Sequence, residues 1–396
     1  MRITLLNQYF PPDPAPTGHY LLQLAQELAS RGHLVRVLCG GDQYAVPKNE
    51  TSTIPNDSNY IKIEIMPKYN ITWLSNDQLR KLINYFIYIM FILLRLLNGP
   101  RQNVIIALTT PPYLGIIARY ISLIRGSSHA HWVMDLYPDC LCANGMAPTA
   151  PIYKILGSFA RRQWGGSSLV FTIGKTMAFR MKMWRKIKIN TFPLWASPES
   201  PSSESINKVE IGNEKLKLLY AGNLGIAHRW IDFANCALRM GIGGPQWVFS
   251  GGGKRRKDFE AWSAMHPGLP IEFLPYISLV NLRDHLQNAD VHLVSLENNW
   301  VGCVVPSKLQ AIFSLGKPVI AVVPKWSETG CWVNESGGGW QVDPGDLENL
   351  IRAVNEASNI DERKWRGTCA KKYSDSFFKK SLILEQMCYL IENCRQ

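Results

Sequence analysis

Short apolar runs alternate with stretches of helical periodicity along almost the whole chain. Ile3–Leu6 reads as a strand, and a proline-rich loop, Tyr9–Gly18, follows it. His19–Ser30 then carries leucine or alanine at 21, 22, 24, 25, 28 and 29, the spacing of one helix face. Arg31-Gly32-His33 closes that helix with a basic last turn and a glycine, and Leu34–Leu38 is the next strand. Strand, loop, helix and strand make the opening βαβ unit of a parallel sheet. Further buried-strand patterns lie at Val104–Leu108, His129–Met134 and Leu169–Ile173. A polar, Pro/Ser-rich stretch at 196–215 suits a linker. Beyond it a second series runs through Leu216–Ala221, Gln246–Ser250, Ile271–Leu274, Val291–Ser295 and Pro318–Val323. Two such series predict an α/β chain of two Rossmann-like domains, 1–195 and 216–373, facing each other across a cleft.

One apolar run breaks the pattern. Tyr85–Leu94 is unbroken and flanked by Arg80, Lys81 and Arg95. It is shorter than the roughly 20 residues needed to span a bilayer. It reads either as a buried core helix or as a helix lying in the membrane interface, its basic edges meeting anionic headgroups. Tyr85 and Tyr88 favour the interface, and Phe86, Ile89 and Leu93 are then the expected membrane contacts.

Composition narrows the partners. With 396 residues, two domains are the default for this length. A formal net charge of +12 calls for an anionic partner. The basic residues form no aromatic-interleaved stripe, which argues against nucleic acid and leaves an anionic membrane surface or nucleotide phosphates. The nine cysteines are scattered and odd in number, as expected of reduced thiols in the cytoplasm. Met1–Gln8 lacks the long apolar run of a signal peptide. Cys140 and Cys142 have no second pair at zinc spacing, so no metal is expected.

In an open parallel sheet, ligands bind beyond the carboxyl ends of the strands, which makes the loops after each strand the ones to read. Thr17-Gly18 opens a helix after the first strand, a place where glycine admits a ligand to the backbone. Asp135 and Asp139 follow the His129–Met134 strand, where carboxylates can orient a sugar hydroxyl or steady developing positive charge; the plain alternative is an Asp-initiated turn before Pro138. Gly222-Asn223-Leu224-Gly225 and Gly251-Gly252-Gly253-Lys254, with Arg255 and Arg256 beyond, make a candidate diphosphate cradle. Neither is a GxGxxG fingerprint, so no nicotinamide or flavin cofactor follows. Gly174-Lys175-Thr176 lacks the earlier glycine of a P-loop, Leu169 standing in its place. Val305-Pro306-Ser307-Lys308, leading into a helix at Leu309–Ser314, joins a polar turn to a lysine.

With these loops placed, the chain resembles glycosyltransferase family 4, in the branch that builds bacterial surface polysaccharides and lipid-linked saccharides. The matching text is NQYFPPDPAPTGHYLLQLAQELASRGHLVRVL at 7–38, MDLYPD at 134–139, LYAGNLG at 219–225, FSGGG at 249–253, VPSKLQAIFSLGKPVIAV at 305–322 and GGGWQVDPGDLENL at 337–350. The resemblance implies a GT-B fold and metal-independent, retaining transfer without a cofactor. It implies a nucleotide-sugar donor (a UDP-sugar), a lipid-linked or saccharide acceptor bound by the N-terminal domain, and an enzyme peripheral on the inner face of the cytoplasmic membrane. It also implies a last helix within 374–396 that returns to the N-terminal domain. The candidate catalytic residues are Asp135, Asp139 and His19. The candidate donor contacts are Gly18, Gly222, Asn223, Leu224, Gly225, Gly251, Gly252, Gly253, Lys254, Tyr276, Val305, Pro306, Ser307, Lys308 and Gln310. The chain departs from the family where two glutamates often stand: Cys303 and Ala311 occupy those positions, and Gln310 or Glu297 are the possible substitutes. Met134 stands where many relatives carry histidine. A nucleotide-sugar 2-epimerase, or a catalytically silent partner subunit, are the alternatives.

Overall fold

The computed structural model describes residues 1–11, 13, 15–41, 59–67, 77–196 and 215–394. The expected linker at 196–215 lies outside these, apart from Ala196 and Lys215. Contacts divide the chain into one unit of Met1–Pro193 with Ser381–Gln396, and a second of Leu194–Lys380.

The first unit runs β1 (Arg2–Leu6), α1 (Pro16–Ser30), β2 (Leu34–Cys39), β3 (Ile61–Ile65), α2 (Asp77–Asn98), β4 (Val104–Ala107), α3 (Leu114–Arg125), β5 (Ser128–Val133), α4 (Asp139–Ala143), α5 (Pro151–Trp164), β6 (Leu169–Thr172), α6 (Lys175–Trp184) and β7 (Asn190–Thr191). Its parallel sheet has the order β3-β2-β1-β4-β5-β6-β7. Helices cover both faces of the central strands, so β4 and β5 are buried at every position, β4 with apolar side chains throughout and β5 with Ser128, His129 and His131 among its buried residues. The order in which strands are added reverses between β1 and β4, so loops diverge there and open a crevice at the strands' carboxyl ends. On one face Tyr88, Ile92 and Leu96 of α2 pack with Leu114, Ala118 and Ile121 of α3 over Leu6, Leu38 and Ile105.

The second unit runs β8 (Lys217–Ala221), α7 (Ile231–Met240), β9 (Gln246–Ser250), α8 (Arg256–Ala264), β10 (Ile271–Leu274), α9 (Leu279–Gln287), β11 (Val291–Ser295), α10 (Lys308–Ser314), β12 (Val319–Val322), α11 (Glu328–Ser336), β13 (Gly339–Val342), α12 (Leu347–Ala357) and α13 (Ile360–Phe377). Its sheet order is β10-β9-β8-β11-β12-β13, reversing between β8 and β11. Aromatic rings of β8, β9, α7 and α8 fill the core: Tyr220, Phe233, Trp247, Phe249 and Phe259 are all buried.

The last helix, α14 (Lys380–Glu392), groups with the first unit from Ser381 onward. Glu392 accepts from His33 Nε2 at 2.9 Å, and Ser128 Oγ donates to the Cys394 carbonyl at 3.1 Å. Residues 374–380 stay with the second unit, where Phe378 packs edge-on against Trp332 and accepts from the Ala196 N–H.

The run Tyr85–Leu94 sits inside α2 and divides by face. Tyr88 is not interfacial: it is fully buried and donates to the Leu38 carbonyl at 2.7 Å. Leu93 is partly buried against the sheet core, which removes it from the expected membrane contacts. Ile89 is half-buried, and Phe86 alone of the three is widely exposed, at 63%.

Candidate functional site

In the second unit the site is built where the sheet reverses. The loops after β8 and β9 pack backbone to backbone: Gly222 N–H donates to Ser250 O and Leu224 N–H to Gly252 O, both at 2.7 Å. Gly251 has φ +116, and a Cβ there would stand 2.4 Å from Gly222 O, so only glycine closes this contact. These bonds correct the expected cradle in part. The N–H groups of Gly222, Leu224 and Gly251 are spent on other loops rather than aimed at a ligand. Leu224 turns its side chain into the core, Lys254 is exposed, and Tyr276 covers Gly252. Arg256 is consumed by Gly251 O, Leu274 O and Glu260.

The chemistry of this unit centres on Lys308, the first residue of the seven-residue α10. Its Nζ is buried, has no hydrogen-bond partner, and lies 3.4 Å over the Tyr220 ring, with Gly222 directly above its stem. Burial holds its pKa well below the ordinary lysine value. An unpartnered ammonium with only a ring face opposite it is costly, and an anion would relieve that cost. His228 stands nearby. Its Nδ1–H donates to the Ser295 carbonyl at 2.6 Å, which leaves Nε2 as an acceptor in the neutral ring. Burial, with the Lys308 charge added, lowers the His228 pKa to about 3, so the ring is neutral at physiological pH. Arg229 forks onto Asp232 and reaches Glu297 at 3.1 Å, fixing a carboxylate at the end of β11. Val305, Pro306 and Ser307 form the turn into α10. Gln310 is buried with both amide atoms unpartnered, Cys303 is wholly buried, and Ala311 is half-buried.

The first unit holds a separate pocket at the ends of β4 and β5. Asp135, His131, Thr109, Tyr113, Gln163 and Trp164 are among the residues lining a cavity of about 10 Å³, room for one water. Asp135 N–H donates to Thr109 Oγ1 at 3.3 Å, and burial raises the carboxyl pKa to about 6. His131 is bonded to the Leu108 carbonyl, so its buried, unpartnered Nδ1 is an acceptor; burial lowers its pKa to about 4. Gln163 Oε1, Tyr113 Oη and Trp164 Nε1 are likewise buried and unpartnered. Tyr113 is also held at φ +67, a conformation that costs a non-glycine residue on the order of 1 kcal/mol and collects at functional sites.

Asp139 is not part of this pocket. Its carboxylate accepts from Trp184 Nε1 at 2.7 Å and pairs with Arg180 at 3.6 Å, a structural arrangement that leaves Asp135 as the pocket's carboxylate. His19 lies half-buried in the first turn of α1, after β1. Gly18 admits the close approach of the Tyr9–Phe10 backbone, 3.0 Å from where a Cβ would be, and belongs to the first unit. Sequence reasoning missed His131, Gln163 and Tyr113 in this unit and His228 and Arg229 in the other. Only His131, on a strand already read as buried, carried a local signal. Among the described residues no group of His, Cys, Asp and Glu could hold a metal ion.

No protein-family model matches the chain. The probable glycosyltransferase WbjE of Pseudomonas aeruginosa is 21% identical over 375 residues, covering 91% of this chain and 90% of that protein. The putative colanic acid biosynthesis glycosyl transferase WcaI of Escherichia coli (strain K12) is 22% identical over 408 residues, covering 98% of each. Among solved structures, Alr3699/HepE of Anabaena in complex with UDP-glucose aligns with a TM-score of 0.70 at 14% identity, covering 99% of this chain and 100% of that one. The shared fold is GT-B.

Proposed function

We propose that this chain, a glycosyltransferase of the GT-B fold and the family 4 kind, moves a sugar from a UDP-sugar onto a lipid-linked or polysaccharide acceptor, with retention at the anomeric carbon. The names of WbjE and WcaI support surface-polysaccharide synthesis, and the UDP-glucose held by HepE supports the donor. The observation that carries the reading is the buried, unpartnered Lys308 Nζ beneath Gly222, at the point where the sheet reverses.

In this reaction the bond between the anomeric carbon and the diphosphate oxygen breaks, and the electron pair leaves with the nucleoside diphosphate. Lys308 takes the negative charge that builds on the leaving oxygens, regaining its own proton affinity as it does so. The neutral His228 offers Nε2 to a donor hydroxyl, and Glu297, steadied by Arg229, offers a second acceptor. The acceptor oxygen forms the new bond on the same face, and its proton passes to the departing diphosphate. No protein nucleophile stands in the donor loops, so positioning and charge carry the catalysis. Asp135, ionised above pH 6, orients the acceptor hydroxyl or steadies the developing positive charge.

Calorimetric titration with UDP and UDP-glucose tests the reading. Lys308→Ala should raise the donor dissociation constant about tenfold or more, the loss of a charge-assisted hydrogen bond of ~1.5–3 kcal/mol. Wild-type affinity in the variant would remove the assignment.

A further inference from the structure

Four helices of the first unit, α2, α3, α5 and α6, lie side by side on one face of its sheet. The right-handed rule for parallel crossovers places them there, because each feeds a strand lying on the same side of the reversal. They are stitched in that order. Arg125 of α3 donates to the Leu97 and Gly99 carbonyls at the end of α2, Arg119 of α3 to the Arg162 carbonyl of α5, and Gly157 of α5 makes room for Trp184 of α6. Each helix buries one face in the sheet and still shows large apolar side chains on the other. On α2 these are Leu82, Phe86, Met90 and Leu94, four residues apart. On α3 they are Tyr120, Leu123 and Ile124, the last two 65% and 70% exposed. On α5 they are Ile152, Ile155 and Phe159, and on α6 Phe179 and Met183, at 68% and 77%. Four neighbouring apolar stripes form an area of a kind that soluble surfaces rarely leave uncovered.

We infer that these four outer faces together form one docking surface for an anionic lipid bilayer. The charge pattern selects that occupant. The helices α3, α5 and α6 contain no aspartate or glutamate at all, while exposed Lys154, Arg162, Lys175 and Lys182 stand among the apolar stripes, with Lys186 just beyond. Apolar side chains flanked by cations of one sign match the boundary between acyl chains and anionic headgroups. A symmetric second copy would instead set these cations against one another. No helix among the described residues is long and apolar enough to cross a membrane, so the contact lies in the interface plane. The inference rests on the proposed lipid-linked acceptor for its purpose, but its geometry is independent of the donor site. It also moves the centre of docking from α2 alone to a surface three helices wider.

The test uses the full chain in flotation with vesicles of phosphatidylcholine, with and without phosphatidylglycerol, at low and high salt. Wild-type protein should float with the anionic vesicles, weaken with salt without being released completely, and bind the neutral vesicles about tenfold less. The pairs Leu123→Ser with Ile124→Ser, and Phe179→Ser with Met183→Ser, alter only exposed residues and should keep the wild-type melting temperature and UDP affinity. Each should lower vesicle binding about tenfold, and Lys182→Glu with Lys186→Glu should weaken binding to the anionic vesicles and reduce its salt dependence. Absence of wild-type binding to anionic vesicles, or variants that float as the wild type does, would overturn the inference. So would a wild-type dimer that the same variants dissociate while vesicle binding stays unchanged. Loss of UDP binding in the wild type would instead strike the proposed donor reaction, leaving the docking surface to be judged by flotation alone.

Discussion

Replacing Asp135 with asparagine should stabilise the protein while disabling it. The Asp135 carboxyl has a pKa of about 6 against an ordinary 3.8, because burial penalises its charged form. A carboxyl whose folded pKa is raised favours folding only below its unfolded pKa, and that benefit is lost as the pH climbs through the folded value. Above pH 6 the fold therefore carries the full cost of an ionised Asp135. At about 1.4 kcal/mol per pH unit the ceiling is ~3 kcal/mol, and partial exposure of the side chain brings it to roughly 1–2 kcal/mol. The asparagine amide also adds an N–H donor beside His131 Nδ1 and Gln163 Oε1, two buried acceptors without partners. For a unit of this size the midpoint should rise by roughly 2–6 °C at pH 7.5. At pH 4.5, where the wild-type carboxyl is already protonated in the fold, about a third of the gain should remain. Thermal denaturation followed by circular dichroism at the two pH values measures both quantities. A midpoint no higher than wild type at pH 7.5, or an equal gain at both pH values, would refute the reasoning. Turnover should fall with UDP affinity unchanged, and the wild-type rate should show an acid limb near pH 6 that the variant lacks.

Donor binding should take up protons at alkaline pH, because an arriving diphosphate restores the Lys308 pKa that burial lowers; affinity should decline as pH rises, and calorimetry in buffers of different ionisation enthalpy reads the uptake, which Lys308→Met should eliminate. Gly251→Ala should cost both stability and UDP affinity, since its Cβ would meet Gly222 O at 2.4 Å in a backbone conformation that already excludes side chains; an unaltered melting curve would contradict this. Glu297→Gln should lower kcat/KM and leave the melting temperature within a few degrees, because Arg229 keeps its fork onto Asp232; unchanged kinetics would remove Glu297 from the site. On α2, Tyr88→Phe should destabilise by about 1 kcal/mol through loss of the hydroxyl's bond to the Leu38 carbonyl, which keeps only a longer bond from the Asn7 N–H, whereas Phe86→Ser should not, and denaturant titration separates the two faces.

Much of the fold was legible because its central strands are covered on both sides and therefore read as short, predominantly apolar runs. The strands that escaped notice lacked that signature: β3 alternates as IKIEI at a sheet edge, β7 has two residues, and β13 emerges from a glycine run. The loops after the strands were legible for a topological reason, since parallel sheets place ligands there whatever the ligand is. What each loop does was less so. Leu224 stands in the middle of a glycine loop, and only the packing of Phe233 and Phe249 shows that it faces inward. Asp135 and Asp139 look alike in the sequence, and the separating fact, Trp184, lies 45 residues away from Asp139. The membrane reading fell on α2 because its apolar run is unbroken. The stripes on α3, α5 and α6 are three residues or fewer apiece, and become a surface only when the sheet sets those helices side by side.

The two candidate sites share an electrostatic design with opposite signs. In one unit a carboxylate, and in the other an ammonium, stands at the carboxyl edge of a parallel sheet without the partner that would repay its burial. Both are pushed toward neutrality, the acid upward and the base downward. Had either group served only structure, a counter-charge would be the inexpensive solution, and the chain uses that solution freely elsewhere: Arg36 holds Glu64, Arg229 holds Asp232, and Arg180 and Trp184 hold Asp139. Withholding it at Asp135 and Lys308 leaves stored free energy that a ligand of the right charge can release. In the proposed reaction the leaving diphosphate would do so at Lys308, and positive charge developing on the sugar would do so at Asp135. Because those charges are largest in the transition state, the same burial that weakens the resting fold strengthens binding when the bond breaks. On this proposal, stability lost at these two residues and catalysis gained there would be one quantity seen from two sides.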